Sequence, residues 1–103
     1  MTRVTFRRRG KMLTLRCDGH AEYGETGKDI VCSGISAVCQ TLALWCKNAD
    51  GVELLAHIQE PGKFRLTAAC RDEEPWKAAA MGLLGIEKRY PDNLTVKIPE
   101  NFF

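Results

Sequence analysis

Apolar and polar positions alternate over the first eighteen residues. Val4 and Phe6 share one parity, Arg9-Gly10 interrupts, and Leu13, Leu15 and Cys17 share the inward parity of the next run. Strict alternation around a glycine turn predicts two half-buried strands joined as a hairpin. Thr14, Arg16 and Asp18 point the other way, and His20 has that second parity if the strand runs on. From Glu22 to Gly27 there is no period and two glycines, which predicts a loop with freedom to move. The period then changes. Val31, Ile35, Val38, Leu42, Trp45 and Ala49 recur at helical spacing, with Asp29 in front as an N-cap and Asn48 to Gly51 as the stop.

Alternation returns at Val52, Leu54, Ala56 and Ile58. Pro61-Gly62 makes a turn, and Phe64, Leu66, Ala68 and Cys70 alternate again. Asp72, Glu73, Glu74 and Pro75 have the composition of a helix start, and Trp76, Ala79, Leu83, Ile86 and Tyr90 fall on one face of that helix. Gly82 and Gly85 inside it cost roughly 1 kcal/mol each relative to alanine, which predicts close backbone packing between helices or subunits. Leu94, Val96 and Ile98 alternate before Pro99. The order β-β-α-β-β-α-β predicts a two-layer α+β fold: a mostly antiparallel sheet with two helices on one face, as a single domain over residues 1–103.

Composition narrows the class. A hydrophobic fraction of 45% and a charged fraction of 27% are those of an ordinary folded domain, so disordered and collagen-like classes drop out. A net charge of +2 is too small to argue for nucleic acid by itself, although Arg3, Arg7, Arg8, Arg9 and Lys11 crowd the start of the chain. No apolar run approaches the ~20 residues of a membrane helix, and the first residues follow a charged strand pattern rather than a signal peptide. The expectation is a cytoplasmic protein with no membrane partner, whose five cysteines are reduced thiols.

The chemistry concentrates around His20 and Cys32. The capping role of Asp29 places Cys32 at the third helical position, where the macrodipole and free N–H groups favour the thiolate form of a cysteine. An imidazole ending the preceding strand can accept the thiol proton or pair with the anion. Amides around Cys32, Ser33 and Gly34 are candidates to hold the oxyanion of a tetrahedral intermediate. Gly34 also gives a substrate backbone room to approach. Ser36 lies one turn beyond Cys32 on the same face, poised either to serve the thiolate or to back-bond the carbonyl of Cys32. Asp29 is read first as the cap and second as a group that orients His20.

The other cysteines have blander readings. Cys39 and Cys46 lie toward the apolar stripe of their helix, and Cys17 and Cys70 have inward strand parity, so all four read as core. Cys17, His20 and Cys32 include zinc-ligand types. No Cys-x-x-Cys pair exists, however, and strand parity sends Cys17 and His20 to opposite faces, so no metal and no cofactor is expected. The lack of a Cys-x-x-Cys pair also argues against a thiol redox protein. His57 has outward parity and reads as a surface histidine. The basic turn Arg7 to Lys11 reads as a solvated hairpin tip that can also contact ribosomal RNA or an acidic partner, so the alternative to an enzyme is a non-catalytic ribosome-assembly or RNA-binding module.

Gly19-His20-Ala21 followed by Gly27-x-Asp29-Ile30-Val31-Cys32-Ser33-x-x-Ser36 resembles the signature of the ribosomal-processing cysteine protease (Prp) family. The order of elements is similar over nearly the whole chain. Alanine or serine usually follows the cysteine in that family, so Ser33 fits and Gly34 is a mild departure. The resemblance implies a bacterial cytoplasmic cysteine endopeptidase. Its substrate would be the N-terminal extension of large-subunit ribosomal protein twenty-seven, cut just after a pair of phenylalanines. His20 and Cys32 would be the catalytic pair, Asp29 and Ser36 supporting residues, and the loop 22–27, with Gly27, the segment that admits substrate. It also implies a homodimer, which would give the Gly82/Gly85 helix a packing partner. The chain ends Asn101-Phe102-Phe103, an aromatic pair that reads as exposed and resembles that substrate.

Overall fold

The computed structural model describes residues 1–25 and 27–102, so Thr26 of the loop and Phe103 of the terminal pair lie outside the described residues. Five strands, β1 (Thr2–Arg9), β2 (Met12–Asp18), β3 (Glu53–Glu60), β4 (Lys63–Ala69) and β5 (Leu94–Lys97), form one sheet in the order β3-β4-β2-β1-β5. Three neighbouring pairs are antiparallel and β1–β5 is parallel. Helices α1 (Ile30–Asn48) and α2 (Glu74–Arg89) pack side by side on one face. The α+β order matches the sequence reading.

The core follows from the alternation. Val4, Phe6, Leu13, Leu15, Leu66 and Ala68 point from the sheet into the helices and are at most 1% exposed. They meet Val31, Ile35, Cys39, Leu42 and Cys46 of α1, and Trp76, Ala80 and Leu83 of α2. The buried stripe of α1 is centred on Cys39 and Cys46, with Val38 and Trp45 at its margin. By length and mean hydropathy (1.4) α1 passes for a membrane span, contrary to the expectation that no such run exists; here it is the central helix of the core. Burying a Leu- or Phe-sized side chain stabilises by roughly 1.5–3 kcal/mol, so this one face carries most of the driving force.

Three local expectations fail for physical reasons. In β3, a bulge at Leu55 puts two residues opposite one on β4, and the parity inverts beyond it. Ala56 and Ile58 therefore face solvent, while His57 turns inward, half-buried and edge-on to Phe64 at 5.7 Å. Gly82 and Gly85 are exposed: a Cβ at 82 would only graze Val38 at 3.8 Å, and one at 85 would meet nothing within the chain. Phe102 is not exposed. It sits in a short 3-10 turn, Glu100–Phe102, 1% exposed and 5.0 Å from the Phe6 ring.

Candidate active site

Three backbone devices build one end of the sheet. At the end of β2, Gly19 adopts φ +90°, and a Cβ there would lie 2.5 Å from the Met1 carbonyl oxygen, so only glycine fits. Its N–H donates to the Gly62 carbonyl at 2.9 Å, tying the β2 exit to the β3–β4 turn. Gly62 itself has φ +71°, and a Cβ on it would come 2.9 Å from Nε2 of His20. The imidazole thus rests on the turn where a side chain is missing. The strand ends before His20, so its parity does not carry past Gly19, and Cys17 and His20 line the same cavity rather than opposite faces.

The third device is the cap of α1. One carboxylate oxygen of Asp29 accepts from the Val31 and Cys32 amides at 3.0 and 2.9 Å, and the other from Tyr23 and Gly24 at 2.8 and 3.1 Å. Burial alone would raise this carboxyl. The four N–H bonds outweigh that and hold it below the usual carboxylate range. Asp29 makes no bond to His20 among the described residues, so the cap is the role the geometry gives it. The start of the loop is tethered rather than free: Asn93 donates to the Ala21 carbonyl at 2.9 Å, and Tyr23 meets Tyr90 edge-on at 5.1 Å.

Cys32 occupies the third position of α1, half-buried, where two cavities of about 440 Å³ each come together. Both cavities are lined by His20, Cys32 and Ser36. Among the described residues Ser36 makes no back-bond to the Cys32 carbonyl, and no hydrogen bond joins the Cys32 thiol to the imidazole. The three reactive groups face common space with their hydrogen-bonding capacity unspent.

Other expected site residues divide. Gly27, at φ +82°, and Ser33 line the second cavity. Gly34 does not face either: the direction of its missing Cβ is toward Ile86 of α2, at 3.6 Å, so it serves helix packing and not substrate approach. The amides proposed for an oxyanion are committed. Cys32 N–H goes to the Asp29 carboxylate, Ser33 N–H to the Asp29 carbonyl at 3.0 Å, and Gly34 lies within the helical ladder.

Sequence reasoning missed the wall of the first cavity. Gln59, Glu60, Pro61, Gly62 and Phe64 arrive from the β3–β4 turn, and Cys17 and Cys39 form its floor with Ile35. The Cys39 thiol beside Cys17 draws Cys17 below its ordinary value, while that contact and burial push Cys39 up. Cys39 is thereby unsuited to act as a nucleophile. Among the described residues no three His, Cys, Asp or Glu side chains gather as metal ligands.

The chain resembles known proteins in both sequence and fold. The model of a family described as cysteine protease Prp matches residues 1–95. The ribosomal processing cysteine protease Prp of Staphylococcus aureus is 51% identical over 35 residues, 34% of this chain and 33% of that relative, so the aligned segment spans about a third of the relative's length. The crystal structure of S. aureus Prp with a covalently linked product peptide superposes with a TM-score of 0.84, at 24% identity over 96% of this chain and 100% of that one. The same protease with a substrate peptide gives 0.74 at 22% identity over 96% and 100%. A Streptococcus mutans protein gives 0.71 at 23% identity over 95% and 93%. At these identities the structures establish a shared fold, and with the match over residues 1–95 the chain belongs to the cysteine protease Prp family.

Proposed function

We propose that the chain is a cysteine endopeptidase that removes the N-terminal extension of a large-subunit ribosomal protein, with Cys32 as nucleophile and His20 as general acid and base. The observation that carries this is the placing of Cys32 at the start of α1, where two cavities meet and His20 and Ser36 line both. Two cavities flanking one thiol suit an extended peptide that runs past the nucleophile, with one segment on each side.

In the reaction, His20 takes the Cys32 proton and the thiolate attacks the scissile carbonyl, forming a C–S bond and a tetrahedral oxyanion. The C–N bond breaks as His20 returns its proton to the leaving amine. Water, deprotonated by His20, then attacks the thioester and releases the acid and the thiol. The His20 imidazole, exposed on the cavity wall it shares with Cys32, turns to bond the thiol. Ser36 is a positioning residue for the thiolate or the substrate. Because the first-turn amides are held by Asp29, oxyanion binding requires either that they be shared or that other donors serve.

The reading includes a cytoplasmic setting for five free thiols and a homodimer through α2, where Met81 and Leu84 are exposed beside Gly82 and Gly85. The test is mass spectrometry of a peptide carrying the source organism's own ribosomal-protein extension, incubated with the wild type and with Cys32→Ala. One cut that vanishes in the variant supports the reading. An intact peptide with the folded wild type overturns the substrate.

A further inference from the structure

Among the described residues no helix or strand covers the sheet face opposite the helices, and along β5, β1, β2 and β4 it is dominated by one sign of charge. On β1, Arg3 and Arg7 share this face with Thr5. On β2, Arg16 shares it with Thr14, and on β4, Arg65 with Thr67. Lys97 of β5 stands beside Thr5. Strand geometry gives this patch about 13 Å along β1 and about 14 Å across from β5 to β4.

Two ordinary explanations of surface arginine fail here. Charges guard exposed edges against strand pairing, but β1 and β2 are interior strands. Solubility is served by interspersed signs, whereas the carboxylates on this face are Asp18, already paired with Arg65 at 2.7 Å, and Glu53 and Glu60 on the far edge strand β3. Arg3, Arg7 and Arg16 make no ion pair among the described residues. Arg16 and Arg65 stand directly opposite each other in the β2–β4 register, a like-charge contact that Asp18 offsets at Arg65 and that leaves Arg16 without a counter-charge among the described residues. A repulsion kept inside the sheet points to an anion outside it.

The geometry points to the backbone of double-helical RNA as that anion. Among the described residues the face carries no aromatic ring, so it lacks the platform on which single-stranded bases stack, and a cavity of about 410 Å³ lined by Thr5, Arg7 and Lys97 opens on its β5 side. Of its apolar residues, Ala56 and Ala69 lie toward β3, while Ile58 stands opposite Arg65 and Met12 opposite Arg9. What remains between the cations is a row of hydroxyls: Thr5, Thr14 and Thr67, the last two 3.1 Å apart. Guanidinium groups with interleaved hydroxyls suit phosphates and the 2′-hydroxyls of an A-form minor groove, read by shape rather than sequence. The surface lies on the opposite side of the sheet from the helix layer that carries Cys32. RNA would therefore hold the enzyme without entering the peptide site.

The experiment is fluorescence anisotropy with a labelled RNA duplex of about 16 base pairs, the span of one compact duplex-binding domain. Four phosphate contacts predict that log K falls against log salt with a slope of about −3 to −4. The double variant Arg7→Glu/Arg16→Glu should bind at least ~100-fold more weakly with the slope reduced by about 2, while its peptide cleavage stays at the wild-type rate. Lys47→Glu/Lys88→Glu, the same charge change on the helix layer, should lose less than ~10-fold because screening confines the effect. No binding at low salt, undiminished binding by the Arg7/Arg16 variant, or an equal loss in the helix-layer variant would each overturn the inference. Equal competition by poly-glutamate would overturn it in favour of an acidic protein. Cleavage is read separately, so a failure here leaves the protease reading standing, and the converse holds.

Discussion

The two ends of the sheet are built from similar materials and finish in opposite conditions. At the hairpin end, Arg8 donates to the Glu73 carboxylate with both terminal nitrogens, and to the carbonyls of Asn101 at 2.7 Å and Phe102 at 3.0 Å. The guanidinium also lies over the Phe102 ring, which packs on Phe6. Arg8, Glu73 and the two carbonyls satisfy one another, and Glu73 is held below the usual carboxylate range by its bonds to Arg8. At the other end, Gly19, Gly62 and the Asp29 cap fix the backbone, while His20, Cys32 and Ser36 stay without hydrogen bonds to one another. A lock uses up its hydrogen-bonding capacity. A site keeps that capacity for something that is not part of the chain, and rigid backbone supplies the order that side-chain pairing would otherwise provide.

Substitutions can break this contrast, and the largest effect belongs to the site. Cys32→Ala should abolish peptide cleavage, a loss of at least ~10³-fold, with a melting temperature close to wild type, since the thiol makes no bond that the fold needs. His20→Ala should cost roughly 10²–10⁴-fold. Peptide cleavage assays paired with thermal melts check both. If either variant loses stability instead, the unspent-capacity reading of that end is wrong.

The hairpin end should behave in the reverse sense. Phe102→Ala removes a buried aromatic ring and should destabilise by about 3–5 kcal/mol in denaturant titration, with cleavage by the folded fraction unchanged. Gly62→Ala is the sharper probe of the site end. It combines a strained φ, about 1–2 kcal/mol, with a Cβ against His20 Nε2, so the catalytic rate should fall roughly tenfold or more. Gly10→Ala, at φ +61° with no neighbour within 4 Å, should show the strain and no kinetic effect.

Acid gives the smallest of these effects and joins the two ends. Asp29 and Glu73 both have folded-state values below their unfolded ones. Each therefore contributes stability that is present above the unfolded value, about pH 4, and lost as pH falls through the folded value. Wild-type stability should decline below about pH 4. Asp29→Asn and Glu73→Gln should each flatten that decline, measured as the unfolding midpoint in denaturant against pH. A slope unchanged in both variants would mean that neither carboxylate is linked to folding.

Much of this was legible locally. The alternation at Val4, Phe6, Leu13 and Leu15 and the helical recurrence from Val31 to Leu42 define faces because burial demands the period of each element. Asp29 was readable as a cap because a carboxylate three residues before Cys32 has backbone N–H groups within reach whatever the rest of the chain does. Motif spacing brought His20, Cys32, Ser36 and Asp29 into one hypothesis. The inversion of His57 was not legible, since a bulge at Leu55 is set by pairing with β4 and leaves no mark in the alternation of β3 itself. Nor was the turn of Gly34 toward Ile86, which depends on how α1 and α2 cross.

The sequence by itself determined the order of elements, the core faces, the capped helix start and the reactive residue types, because each depends on interactions within a few positions along the chain. Only the tertiary structure decided where those residues meet. Gly62 carries His20, Gln59 and Phe64 wall the cavity beside Cys32, Phe102 closes the hairpin end, and four strands bring arginine, lysine and threonine onto one open face. Such contacts join positions tens of residues apart, and they follow from strand register and helix packing once the core has formed.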